Sequence, residues 1–170
     1  MSLQSVRAFF AEKAPDLPII ELATSTATVA LAAEAHGVEP GQIAKTLAFR
    51  IGERNLLIVA RGDARIDNRK IKETFGGKAK MLDAETVVAL TSHPVGGVCP
   101  FGLATPLPVY CDVSLRAFAE VVPAAGDIHS AVRISPARMA ELVDADWVDV
   151  CQSLPVENPE IAAPSPLETP

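Results

Sequence analysis

Cysteine is sparse in this sequence, and nothing about its placement would staple a fold. Cys99, Cys111 and Cys151 form an odd set without a C-x-x-C spacing, and the three histidines do not cluster. That excludes a disulfide framework and a structural zinc site, so neither a metal nor a cofactor is expected. Free thiols of this kind suit a reducing cytoplasm. Long apolar runs are also missing: none reaches the roughly 18 residues a membrane span requires. Residues 1–15 interrupt their apolar pattern with Arg7, Glu12 and Lys13, unlike the core of a signal peptide. The expectation is a cytoplasmic protein with no membrane partner. The familiar catalytic templates are absent too, with no G-x-S-x-G elbow, P-loop, H-E-x-x-H or G-x-G-x-x-G.

What is present is an ordinary globular composition, 49% apolar and 21% charged over 170 residues, enough for one domain that buries about two-thirds of its unfolded surface. The net charge of −6 argues against a nucleic-acid binder until it is divided along the chain. Residues 61–80 carry seven Lys/Arg against three Asp/Glu, whereas 81–170 carry three against twelve. A local patch of Arg61, Arg65, Arg69 and Lys70 can therefore meet phosphates on an acidic chain, and a solvated helix face is the plainer alternative.

Periodicity and punctuation predict helices at Ser2–Lys13 behind a Ser2 cap, at Thr26–His36 before Gly37, at Asp67–Thr74, at Ala84–Leu90 behind Asp83, at Leu115–Phe118 behind Asp112 or Ser114, and at Ala137–Val143 behind Ser135-Pro136. Strands are predicted at Ile19–Leu22, Ala44–Ile51, Asn55–Ala60, Ala79–Leu82, Pro108–Cys111, Val121–Ala124, Ala131–Ile134 and Trp147–Val150, with 44–60 forming a hairpin. Interspersed strands and short helices define a mixed α/β (α+β) fold, one domain over residues 1–152 with a central mixed sheet surrounded by short helices. Residues 153–170 are Pro-rich and are expected to be a disordered tail.

Three segments could carry chemistry. Lys45 interrupts the apolar strand 43–49 and is costly there unless it faces a cleft, although an edge lysine lying along apolar surface would read the same way. Gly96-Gly97-Val98-Cys99-Pro100-Phe101-Gly102 is a loop with bare backbone amides that could hold a carbonyl or a phosphate, or else a tight turn. Cys99 lacks an evident base, so a buried cysteine is preferred over a nucleophile. His129 and Ser130, after Gly126, are adjacent and so point to opposite faces of a strand. They could line a pocket singly but not act as a pair. His36 reads as a residue that caps a helix C-terminus by its charge, and His93 as loop structure.

Taken in order, these segments resemble the YbaK and ProXp family, relatives of the editing domain of bacterial prolyl-tRNA synthetases. The likeness runs from about Thr24 to Trp147. It rests on the Ala-rich helix ending His36-Gly37-Val38, on Gln42-Ile43-Ala44-Lys45-Thr46-Leu47, on a G-x-x-x-P element at Gly96–Pro100, on Asp112 and Ser114-Leu115, and on Ala125-Gly126. The resemblance implies a single α/β domain that hydrolyses the ester of mischarged aminoacyl-tRNA, tRNA(Pro) carrying a small amino acid such as Ala, Cys or Ser. It places Lys45, Gly96 and Gly97 at the chemistry. Around the substrate it sets Thr46, Val98, Cys99, Pro100, Phe101, Gly126, His129 and Ser130. The implied partners are aminoacyl-tRNA and, as a candidate, prolyl-tRNA synthetase. Asp127-Ile128-His129 stand where the Cys-tRNA-editing branch has a basic residue and a second glycine, leaving the amino acid open. A non-catalytic tRNA-binding or adaptor module on the same fold is the alternative.

Overall fold

A computed structural model describes residues 2–153. The tail expected at 153–170 therefore lies, but for Ser153, outside the described residues.

The fold is mixed α/β, assembled around one twisted sheet. Strands β1 (Ile20–Glu21), β2 (Ile43–Ile51), β3 (Arg54–Arg61), β4 (Ala79–Met81), β5 (Val109–Asp112), β6 (Val122–Pro123), β7 (Ser130–Ala131) and β8 (Asp146–Val148) are interleaved with helices α1 (Ser2–Lys13), α2 (Val29–His36), α3 (Asn68–Phe75), α4 (Ala84–Thr91) and α5 (Pro136–Leu142). In the sheet the order is β4-β2-β3-β5-β8, with β6 also paired to β2. β2 and β3 form the expected antiparallel hairpin, β5 lies parallel to β3, and β8 lies parallel to β5. β1 and β7 form a small separate ribbon.

Side chains alternate across the strands, and the register sorts them into two cores. Ala44 and Ala48 of β2, with Leu57 and Val59 of β3, face the larger core, which also takes Val6 and Phe10 of α1, Val87 of α4 and Met139 of α5. Phe49, Ile51, Leu56 and Ile58 face the other side, which α3 covers through Ile71. The helices begin where short polar side chains can cap them: Thr28, Asp67, Asp83 and Ser135 each accept a main-chain N–H of the first turn. α2 therefore starts later than its Ala-rich composition suggests, because Thr28 takes the cap and Thr26 instead bonds the Ile128 carbonyl. Ser2 is not a cap but the first residue of α1, and its hydroxyl is spent on tertiary contacts.

One feature of the pairing positions the site. β2 is paired along 44–51 with β3 on one side, but on the other side it meets β6 only at 43–44 and β4 only at 49–51. Residues 45–47 have no strand partner there. The Ala48 carbonyl accepts from the Leu82 N–H, so the main chain of Ala48 faces that side. By the two-residue repeat of a ladder, so do the N–H and C=O of Thr46.

Candidate functional site

A cavity of about 440 Å³ opens where the pairing of β2 is broken. Its floor is β2 from Ile43 to Ala48, and its walls come from α2, from the start of α4, from Gly96 and Val98 of the glycine loop, and from Ala124, Ser130 and Ala131. Most of the lining is small and apolar, with Val29, Ala32, Ala44, Ala48, Val87 and Ala124 prominent. Into this apolar surface project three buried polar atoms without a hydrogen-bond partner: Thr46 Oγ1, Ser130 Oγ and His36 Nε2. An unpaired buried polar atom costs on the order of 1–3 kcal/mol, and here three of them share one cavity. A chain that holds three such atoms in one place has a ready set of contacts for a small polar ligand.

Each arrives by a different local route. Thr46 follows Lys45 on β2, and its side chain leaves on the face of Ala44 and Ala48. Ser130 is fully buried in β7, a ribbon strand too short to be recognised by its own pattern. His36 ends α2 one turn after Ala32, and Val29, Ala32 and His36 share the inward face. It is not a capping charge. Burial first, and then the positive Arg133 beside it, push its imidazole below the usual histidine range, so the ring is neutral at neutral pH. Arg133 donates to the His36 carbonyl at 2.7 Å. The helical spacing of Val29, Ala32 and His36 is the sequence signal for this face.

Lys45 and Gly96 line the same cavity. Lys45 pairs in register with Ala60, on the opposite face from Thr46, and its ammonium donates to the Ala64 carbonyl. Burial lowers its pKa, opposed by Cys151 and Asp63 nearby. Gly96 adopts φ +91°, a left-handed conformation that disfavours other residues, with Ala27 packed 3.0 Å from where a Cβ would stand. The N–H groups of Gly96 and Val98 meet no protein acceptor among the described residues.

The rest of the loop has other duties. The Gly97 N–H goes to the Pro94 carbonyl at 2.9 Å and its own carbonyl takes the Gly126 N–H at 3.1 Å, so this amide is not free for a ligand. Cys99, Pro100 and Phe101 are buried, and the Phe101 ring packs at a tilt against Phe10 with ring centroids 4.7 Å apart. His93, read from the sequence as loop structure, is fully buried: Nε2 lies 2.7 Å from the Phe101 carbonyl, and Nδ1 lies 2.6 Å from the hydroxyl of Ser2, which also reaches the Gly126 carbonyl. These contacts fasten the glycine loop and the turn at Gly126 to the start of α1. His129 stands outside the cavity lining, its Nδ1 3.2 Å from the Thr24 carbonyl.

Of the four cations read as an RNA patch, Arg61 is clamped by Asp63 at 2.6 and 2.9 Å and lies over the Phe118 ring, and Lys70 bonds Asp149 and the Cys151 carbonyl. Arg65 and Arg69 are exposed. Among the described residues no three His, Cys, Asp or Glu side chains gather as metal ligands, and no helix is long and apolar enough to cross a membrane.

Burial pushes the thiols of Cys99, Cys111 and Cys151 up to about 12. At pH 8 the thiolate is then on the order of one molecule in ten thousand. Iodoacetamide under native conditions should therefore leave all three unmodified by mass spectrometry; rapid labelling of Cys99 would instead revive a cysteine nucleophile.

A mixed sheet with a polar-studded pocket at a gap in its strand pairing defines an α/β domain with a cavity of small-molecule size. Comparison with known proteins narrows the class. The family model for the aminoacyl-tRNA editing domain matches residues 23–142, and the chain belongs to that family. It is 48% identical over 154 residues to the uncharacterized protein YwhH of Bacillus subtilis (strain 168), covering 89% of this chain and 98% of that one. It superposes with TM-score 0.83 and 33% identity on the crystal structure of a candidate trans-editing enzyme for prolyl tRNA synthetase, covering 89% of this chain and 98% of the other. A segment of 81 residues, 47% of this chain, is 33% identical to the proline–tRNA ligase of Desulfovibrio desulfuricans, where it spans 14% of the ligase.

Proposed function

We propose that this chain is an aminoacyl-tRNA deacylase that hydrolyses the ester of tRNA(Pro) mischarged with a small amino acid such as Ala, Cys or Ser. The observation that carries the proposal is the set of three unpartnered polar atoms in one small apolar cavity. An aminoacyl group offers that set a matching ligand, a compact side chain carrying an α-amino group and an ester. The hydroxyls of Thr46 and Ser130 and the neutral ring of His36 can accept from an ammonium. The Ala- and Val-lined wall limits the side chain to a few carbons, although one methylene is worth only about 1–3 kcal/mol of discrimination.

An aminoacyl ester is already activated, so a positioned water or substrate hydroxyl and a stabilised oxyanion suffice without a nucleophilic triad. In this proposal the free N–H groups of Gly96, Val98 and Thr46 orient the ester carbonyl and meet the negative charge that develops on its oxygen. Lys45 holds the ester region or the phosphate of the terminal adenosine. Its ammonium is bonded to the Ala64 carbonyl on the face of β2 opposite Thr46, and substrate would have to draw it from there.

The test is hydrolysis across a panel of tRNA(Pro) species charged with Ala, Cys, Ser and Pro, with Lys45→Ala alongside. Expected are turnover of at least one of the small noncognate esters in preference to Pro, and roughly a tenfold or greater loss in Lys45→Ala. Binding of charged tRNA with no hydrolysis of any ester would favour a non-catalytic adaptor. Near-wild-type turnover by a folded Lys45→Ala would remove the lysine from the chemistry.

A further inference from the structure

We propose that the edge formed by β2 and β4, through Arg50 and Lys80, is the track on which the phosphates of the RNA leading to the cavity are held. The proposal rests on the deacylase reading for the identity of the ligand, though not for the existence of the surface. Arg50 and Lys80 are direct partners in the antiparallel register, so two like charges stand side by side on one face of the sheet, an arrangement that destabilises a strand pair. Both are exposed and neither enters an ion pair among the described residues. Arg50 spends only its Nε, on the Gly52 carbonyl at 3.2 Å. Nearby acids do not neutralise the pair: Asp83 is committed to the Thr86 N–H at the start of α4. An uncompensated cationic pair that weakens its own sheet is accounted for by an anionic partner from outside.

Its place identifies that partner. Side chains alternate, so Arg50 stands on the same face of β2 as Ala44, Thr46 and Ala48, the floor of the cavity. Four residues separate Thr46 from Arg50, about 13 Å along a strand. Lys80 precedes Met81, which lines the cavity mouth and is 62% exposed. A strand of RNA whose terminal ester enters the cavity would leave over Met81 and bring its next phosphates to Lys80 and Arg50, with Lys78 following. The cations of α3 sit elsewhere: that helix covers the opposite face of the sheet through Ile71, and its Lys70 is already paired with Asp149.

The experiment measures binding of an uncharged RNA hairpin with a single-stranded CCA end, by fluorescence anisotropy between about 50 and 200 mM salt, for the wild-type chain, Arg50→Glu, Lys80→Glu and a control reversal, Arg69→Glu. Each reversal at the β2–β4 edge should weaken binding about five- to tenfold and lower the slope of log K against log salt by about one; Arg69→Glu should do neither. Arg50→Glu places opposite charges in register, so its melting temperature should rise while its affinity falls, a combination that damage to the fold cannot produce. In parallel, kcat/KM for charged tRNA should drop with both edge variants, whereas that for an aminoacyl adenosine, which carries the ester but no internucleotide phosphate, should not. An unchanged salt slope, a larger loss in Arg69→Glu, an equal loss on the aminoacyl adenosine, or no binding of the hairpin by the wild-type chain would each overturn the proposal. Salt-dependent binding lost in the edge variants, with no ester hydrolysed by the wild type, would sink the deacylase reading and leave this surface standing.

Discussion

Ser130→Ala should raise the stability of the protein while lowering its activity. The Ser130 hydroxyl is fully buried and bonded to nothing, and a group in that state costs on the order of 1–3 kcal/mol. Alanine removes the oxygen without changing the backbone, so the unliganded protein should gain about 1 kcal/mol, which for a domain of this size corresponds to a rise of roughly 2–4 °C in melting temperature. The same oxygen is proposed to accept from the substrate's α-amino group, and a hydrogen bond to a charged group contributes about 1.5–3 kcal/mol. kcat/KM for the preferred mischarged tRNA should accordingly fall roughly tenfold to a hundredfold. Thermal denaturation and deacylation kinetics on one preparation check both arms. A drop in melting temperature would mean that the hydroxyl is satisfied in the folded protein, and an unchanged rate would remove it from the site.

Gly97→Ala should have a large structural effect for a single added methyl. A Cβ there would sit 2.6 Å from Asp127 Cα and 2.7 Å from Asp127 N, main-chain atoms that cannot swing aside. Overpacking of this kind costs typically 1–3 kcal/mol and occasionally more, and with backbone on both sides the upper end is expected. Circular dichroism should show melting lowered by about 6–12 °C. Activity should fall even at temperatures where the variant is folded, because the contact between Gly97 and Gly126 is what sets Gly96 and Val98 against the cavity. A variant that melts like the wild type would show that the two loops are not in contact in solution.

Much of this was legible in the sequence because it is written in short-range chemistry. Thr28, Asp67, Asp83 and Ser135 each mark a helix start through a bond to a main-chain N–H two or three residues on, and the β2–β3 hairpin follows from two apolar runs around Gly52. Lys45 could be singled out because a charge in an apolar strand is conspicuous on its own. The lesser strands could be outlined but not paired: β6 and β7 are two residues each, and their partners lie 79 residues and 109–111 residues away along the chain, at Ile43–Ala44 and Ile20–Glu21.

The site was legible only in part, for the same reason. Glycines announced the 96–102 loop, yet nothing local says that Gly97 spends its N–H on Pro94, that Phe101 points into the aromatic cluster of α1, or that His93 is tied to Ser2 across 91 residues. Composition located a cationic window but not its ion pairs. Asp63 neutralises Arg61 from two residues away, whereas Asp149 reaches Lys70 from 79 residues away. The like-charged pair Arg50–Lys80 exists only once β4 has been laid beside β2.

The interruption in β2 has a consequence for the behaviour of the protein in solution. Bare main-chain donors and acceptors along a sheet margin ordinarily invite invasion by another chain, the first step of aggregation. Here the open stretch is three residues, about 10 Å, and is closed at one end by β6 and at the other by β4. A foreign strand cannot lie down in so short a berth, so those groups stay unoccupied until a molecule small enough to fit between the two flanking strands arrives.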